Sequence, residues 1–324
     1  MHRSMIKVAT CAVLGISIWD SCASAAGPPL LTAPFSSQTA TESQSVWAKQ
    51  LGTKPITANS IAMELVLIAP GEFLMGSPAS AKVHSSEKPL HRVRITQPFF
   101  LSRTEVTQKQ WLRVMKTRVW MRKRPYHQEN PYFAEGSNLP ATQMLHSEAA
   151  AFCRKLTGQE EKSGRLRKGW KYALPTEAQW EYAGRAGTAT AYSFGDDAGL
   201  LARYAWFDRN SKTDGRTLPH NVGGKQANPF GLHDMHGNVS EWCKDIANRK
   251  YYASSPVDDP PGPRGGTTHQ FRGGSFASSS NACRSASRAG SVNLVPNASY
   301  FVGLRVAMVR AQADQPKPRG KNTR

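Results

Sequence analysis

The stretch from Asn228 to Trp242, N-P-F-G-L-H-D-M-H-G-N-V-S-E-W, constrains this chain more than any other. It packs two Gly, a Pro, two Asn and an Asp into a short span. Such a run cannot form a regular helix or strand and must be a tight irregular loop. Yet it also holds Phe230, Leu232, Met235, Val239 and Trp242, apolar residues that favour burial. A buried irregular loop carries backbone carbonyls that no ladder satisfies. A cation flanked by Asp234 and Glu241 is one answer, and Asp234 as a plain turn cap is the other.

The 324 residues are ample for a real core. Residues 1–25 read as an export signal: Arg3 and Lys7, an apolar run from Val8 to Trp19, then Ala23-Ser24-Ala25. The run is too short to span a bilayer, and no other stretch approaches it, so no transmembrane segment is expected after signal removal. Residues 26–58 are rich in Pro, Ser, Thr and Ala and read as a linker, with room for a short helix near Val46 to Leu51. Residues 311–324 read as a disordered basic tail. Between them lies one domain, 59–310.

Within it, Leu65–Ile68 and Glu72–Met75 read as two short strands around the Pro70-Gly71 turn. The alternation in His91–Ile95 suits a half-buried strand, and Pro98–Leu101 is another candidate. Three helices are marked. One is capped by Thr107 with Gln110, Val106 stapling onto Trp111. A second is capped by Ser147 and closes at Gly158; the third runs from Thr176 with Gln179 to Gly187. Residues 190–300 are dense in Gly, Pro, Ser and Asn, which implies loops and short strands.

The net charge of +19 comes from 42 Lys plus Arg against 23 Asp plus Glu. Lys109 to Arg124 holds seven basic residues and no acid. Such clusters can bind nucleic acid, but an exported protein rarely meets it; an anionic glycan, lipid headgroups or an acidic protein fit better. Solvation of the surface is the competing explanation. Signal removal leaves Cys153, Cys243 and Cys283, which allows at most one disulfide, with Cys243–Cys283 a candidate pair. His233 and His236 lack a third zinc ligand and read as packing residues. No nucleophile elbow, phosphate loop, H-E-x-x-H or C-x-x-C is present.

Several motifs in one order carry a resemblance: G-L-H-D-M-H-G-N-V-S-E-W, R-G-G-S-F (Arg272 to Phe276), L-P-T-E-A-Q-W-E-Y-A (Leu174 to Ala183) and G-L-R-V-A (Gly303 to Ala307). The chain resembles the sulfatase-modifying-factor family, best known for formylglycine-generating enzymes, from near Asn59 to near Arg310. The resemblance implies an α+β fold of the C-type-lectin-like kind, loop-rich with little regular secondary structure. It implies calcium held by Asp234, Gly237, Val239 and Glu241, a hard ion in an oxygen shell. A second calcium loop would map to Asn210, Ser211, Asp214 and Arg216, and is shortened here.

The enzymes of this family carry two Cys, three and eight residues after the Ser of R-G-G-S, and these thiols hold copper(I). Counted from Ser275, those positions are Ser278 and Cys283. A hydroxyl is a hard ligand and does not replace a thiolate, so copper is not expected. The family's W-E-W is Ser240-Glu241-Trp242 here, and an Asn two residues before G-F-R becomes Phe301. Ser275 and Cys283 remain as candidate catalytic residues. Two readings stay open. One is an exported oxidoreductase-like modifier of proteins or peptides. The other is a binding module on the same scaffold, recognising an anionic glycan or protein, as the variable proteins of diversity-generating retroelements do.

Overall fold

The computed structural model describes residues 27–122, 134–288 and 299–311. The expected export signal, the tail beyond Ala311 and the basic residues Lys123 and Arg124 lie outside them. The chain opens with strand β1 (Leu31–Thr32), helix α1 (Ser37–Leu51) and strand β2 (Ile56–Ala58). Strands β3 (Glu64–Ile68), β4 (Gly71–Met75), β5 (His91–Ile95) and β6 (Phe99–Ser102) follow. Next come α2 (Gln108–Met115), α3 (His146–Lys162), β7 (Trp170–Ala173) and α4 (Glu177–Arg185). Among the described residues the second half holds short 3-10 turns and the strands β8 (Lys212–Thr213), β9 (Arg216–Thr217), β10 (Ser240–Ile246), β11 (His269–Arg272), β12 (Val302–Gly303) and β13 (Ala307–Arg310).

Within the expected linker 26–58, the described residues 27–58 carry regular, packed structure. Ser36 caps α1 through the Thr39 amide, and Gly52 closes it in the left-handed region at φ 59°. Ala40, Trp47, Ala48 and Leu51 bury one face, and Gln44 donates to the carbonyls of Leu67 and Phe230. The composition misled because small residues pack a helix against a sheet as well as large ones do.

A five-stranded sheet in the order β2-β3-β6-β13-β7 forms the base. The last strand, β13, inserts between β6 and β7, pairing Ala307 with both Leu101 and Ala173. The two ends of the domain therefore meet in one sheet. β3 and β4 do not pair as a hairpin: β3 joins the large sheet, and β4 pairs with β1 and β5 in a second. β3 is buried on both faces from Leu65 to Ile68.

The helices follow their caps, with one exception. The Thr107/Gln110 and Thr176/Gln179 capping boxes form as the sequence implies. The third helix ends at Arg185, with Ala186 left-handed just ahead of Gly187. α3 differs: it starts at His146, with the Glu148 carboxylate accepting the Leu145 amide at 2.8 Å, and runs through Gly158 to Lys162. Glu160 holds the extra turn, accepting the Ser60 amide at 3.1 Å. Trp111 of α2 stacks on Phe152 of α3, ring centres 5.4 Å apart. A third sheet, β11-β10-β12, carries the two halves of the R-G-G-S region: Glu241 pairs with Arg272 on one side and Gly303 on the other.

Candidate functional site

The irregular loop before β10 supplies much of its own hydrogen bonding. Asn228 Oδ1 accepts the amides of Phe230 and Leu232 at 3.1 Å, while its Nδ2 donates to the Ala183 carbonyl at 2.7 Å. Asn238 accepts the His220 amide and returns a bond to the His220 carbonyl. Asp234 and Asn238 sit at φ 61° and 59°, a region these two residue types tolerate. Gly237 has no room for a side chain: a Cβ would lie 2.2 Å from the Trp206 carbonyl oxygen. The loop thus forms through its Asn side chains and one close backbone approach.

Behind it lies a cluster of three buried carboxylates around one guanidinium. Glu241 is fully buried and accepts from Arg305 Nε at 2.9 Å, Arg305 Nη2 at 2.7 Å and the Trp180 indole at 2.6 Å. Arg305 also donates to the carbonyls of Ser102 and His233, each at 2.7 Å. Glu105 accepts the Val239 amide at 3.3 Å, and Asp234 accepts the Gly223 amide at 2.7 Å. One oxygen on each, Glu105 Oε2 and Asp234 Oδ1, is buried with no N–H or hydroxyl donor, and the two carboxyls lie close enough for a proton on Glu105 to bond Asp234. Burial pushes the Glu105 carboxyl well above the carboxylate range, and the charge of Asp234 adds to it. Burial also raises Asp234 and Glu241, while Arg305 pulls all three down.

Among the described residues no group of three or more His, Cys, Asp or Glu is arranged to hold a metal ion, and the expected ligand set changes. Glu241 is committed to Arg305 and Trp180, so the oxygens with no N–H or hydroxyl donor come from Asp234 and Glu105. Sequence reasoning missed Glu105. The signal was an acid directly before a capping box and next to an apolar residue, where burial without a partner is costly.

A second ionic framework explains the R-G-G-S and L-P-T-E-A-Q-W-E-Y motifs. Arg272 pairs closely with Glu181, lies 3.5 Å from Glu177, and donates to the carbonyls of Ser285, Ala286 and Ser287. Arg185 bonds Glu181 at 2.9 Å and Arg288 bonds Glu177 at 2.7 Å. Burial opposes the charge on Glu181, but Arg185 and Arg272 outweigh it and hold the carboxyl below its usual value. These motif residues anchor the chain after the serine turn to α4.

The turn itself is compact. Ser278 Oγ accepts the Ser275 amide and lies 3.0 Å from Ser275 Oγ. Ser240 Oγ donates to the Gly274 carbonyl, and Phe276 packs on Phe301 with ring centres 5.4 Å apart. Cys283 lies beneath the turn: a Cβ on Gly274 would sit 2.7 Å from its sulfur. That thiol is wholly buried against Tyr192, Leu201, Ala205 and Phe207, and burial pushes it up to about 12. Cys153, Cys243 and Cys283 are all free and buried, so the 243–283 pair is not formed. His236 donates from Nδ1 to the Cys283 carbonyl at 2.9 Å, and its Nε2 accepts from Ser193. Burial drives its pKa to about 4, so the ring is neutral and structural. His233 bonds the Lys225 carbonyl at 2.7 Å. Neither histidine is placed as half of a metal pair.

The other expected loop is split between two settings. Asn210 is spent locally, accepting the Phe207 amide and donating to the Ala205 carbonyl. Ser211 is buried under Phe276. Asp214 and Arg216 are exposed on the β8–β9 hairpin, with Asp214 and Gly215 at φ 50° and 75° in its tip. Turn chemistry accounts for Asp214 there.

Residues 53–310 match the sulfatase-modifying factor enzyme 1-like domain. The chain belongs to the sulfatase-modifying-factor family. It is 30% identical over 272 residues to a formylglycine-generating enzyme of Streptomyces coelicolor, a match that covers 73% of this chain and 86% of that relative. It is also 30% identical over 232 residues to serine/threonine-protein kinase pkn1 of Chlamydia pneumoniae, but covers only 35% of that protein and 70% of this one. PvdO from Pseudomonas aeruginosa has a similar structure, with TM-score 0.65 and 27% identity over 79% of this chain and 99% of that one. Treponema denticola variable protein 1 gives TM-score 0.63 and 26% identity at the same coverage. The α+β fold implied by the motifs is the one observed. Among the described residues no helix is long and apolar enough to cross a membrane.

Proposed function

We propose that this sulfatase-modifying-factor protein keeps the family scaffold to hold a protein or peptide segment at the serine turn, and does not convert cysteine to formylglycine. One observation carries the chemical half of this reading: Cys283 is a wholly buried thiol under Gly274, pushed up to about 12, and the position three residues after Ser275 is the hydroxyl of Ser278. Copper(I) selects thiolates, and neither group is one near neutral pH. The residues present do not fit copper. Ser275 is no better placed as a nucleophile, because its hydroxyl neighbours Ser278 rather than a base.

The test is direct. Copper(I)-treated protein is incubated with a Cys-containing sulfatase-type peptide under reducing conditions, and the aldehyde is sought by mass. No aldehyde is expected, and turnover that disappears in Cys283→Ser would refute the reading. Weak binding of the same peptide, read by fluorescence anisotropy and lowered in Phe301→Ala, is expected; no binding at millimolar peptide would refute the recognition half.

The same reading gives the Glu105–Asp234 cluster a structural calcium ion, held by those carboxylates with the carbonyls of Gly237 and Val239. What supports it is the pair of buried carboxylate oxygens with no N–H or hydroxyl donor and the excess of three carboxylates over one guanidinium. Calcium would neutralise that excess where protons otherwise must. The charged start, apolar run and small-residue site in 1–25 support export, and N-terminal sequencing should find Ala26 first.

A further inference from the structure

The basic run that the sequence singles out becomes a feature with a shape. Lys109 and Arg113 fall at i and i+4 on one face of α2, and Lys116 follows as its left-handed C-cap. All three side chains are exposed, and among the described residues none has a carboxylate partner. Their acidic neighbour Glu135 is taken by Arg118 at 3.1 Å. Arg113 in the last turn and Lys116 at the cap suit the negative end of the helix dipole, whereas Lys109 sits in the first turn, where the dipole disfavours a cation.

The face borders a cavity of about 440 Å³ between α2 and the segment Glu135–Ser137. That volume lies within the usual range for small-ligand sites. The far wall is fixed: Gln108 donates to the Ala134 carbonyl at 2.9 Å and accepts the Gly136 amide at 3.0 Å. Leu112 and Trp120 give the cavity an apolar side. Trp120 is 2% exposed, and its indole N–H is buried with no acceptor. A buried donor left unsatisfied is costly and calls for an acceptor from elsewhere.

We propose that the cavity between α2 and Glu135–Ser137 binds an anionic glycan bearing sulfate or carboxylate groups. The cations supply charge along one edge, spaced to meet acidic groups on successive sugars. Leu112 offers an apolar edge for a sugar ring, and the buried Trp120 indole N–H lacks an acceptor that a ring substituent could supply. Single-stranded nucleic acid is a poorer match, because it needs exposed aromatic platforms on which bases stack, and Trp120 is buried. The site shares no residue with the serine turn and stands whether or not that turn binds a peptide.

A heparin-derived tetrasaccharide is the probe, with binding followed by calorimetry at low salt. The triple variant Lys109→Gln/Arg113→Gln/Lys116→Asn removes three charges; Asn is chosen at 116 because Lys116 adopts φ 60°. A control triple, Arg154→Gln/Lys155→Gln/Lys162→Gln, removes the same charge from exposed positions on α3. The first triple should weaken binding roughly tenfold or more, with the control staying within about twofold. Trp120→Phe keeps the ring, loses the N–H and should weaken binding about three- to tenfold. Equal losses in both triples would overturn the site in favour of a diffuse basic surface. So would no binding of the tetrasaccharide by the parent protein, or tighter binding of a thymidine oligonucleotide that the first triple abolishes. Melting curves matching the parent separate these outcomes from misfolding.

Discussion

Arg305→Met removes the guanidinium that pairs directly with the buried carboxylate cluster, and its consequence can be sized from the structure. The guanidinium makes contacts of 2.7 and 2.9 Å to Glu241 and two of 2.7 Å to carbonyls, with no exposure. Removing one partner of a buried ion pair costs about 3–5 kcal/mol, because the other is left as an uncompensated buried charge. The stranded carbonyls of Ser102 and His233 push toward the upper end. For a domain of this size, 1 kcal/mol lowers Tm by roughly 2–4 °C, so the expected fall is about 6–20 °C.

The sign with pH follows from the same contacts. Arg305 pulls Glu105, Asp234 and Glu241 down against burial, and without it all three rise further. A carboxyl whose folded pKa exceeds its unfolded value contributes stability at low pH that is lost as pH rises through the folded value. The deficit of Arg305→Met against the parent should therefore shrink toward pH 5 and grow toward pH 8. Adding Glu241→Gln, which keeps an acceptor for Trp180, should return about 1 kcal/mol or more. Thermal unfolding and urea unfolding in excess chelator at both pH values measure all of this. A Tm loss under about 3 °C, or a deficit that does not change with pH, would refute the assignment of Arg305 as the counter-charge.

Chelation should lower the Tm of the parent protein, and Asp234→Asn or Glu105→Gln should remove the difference; an unchanged parent curve rules out the calcium site. Asp245 accepts the Glu177 amide at 2.8 Å, and burial, reinforced by the Glu177 charge, raises its pKa to about 7. Its contribution is complete below the usual Asp range and is lost as pH rises through about 7, so Asp245→Asn should flatten the stability profile between pH 5.5 and 8. A profile as steep as the parent's would count against it. Gly237→Ala drives a methyl into the Trp206 carbonyl and should cost about 2–3 kcal/mol by equilibrium unfolding; a neutral effect would mean the loop yields easily.

Local chemistry made much of this protein legible in its sequence. The capping boxes at Thr107 and Thr176, the strand at His91–Ile95 and the irregular loop at Asn228–Trp242 depend on residues near one another in the chain. The α+β fold came through motif resemblance, as did the placing of Asp234 and Glu241 together. Composition failed at α1, where Ala40 and Ala48 pack as well as larger residues would. Gly158 did not stop α3, because Glu160 makes a contact with Ser60, a hundred residues away, that no local rule contains.

The tertiary structure alone decided which charges meet. Arg305 reaches Glu241 across sixty-four residues, and Arg272 reaches Glu181 across ninety-one. Glu105 belongs to the cluster only because β13 closes between β6 and β7 and brings the chain's end back beside its first half. The sequence determined that Ser278 replaces a thiol, since that is a matter of identity. Whether Cys283 is an exposed thiolate or a buried thiol depends on what packs over its sulfur. Ionisation is a property of the surroundings, and the surroundings exist only once the chain is folded.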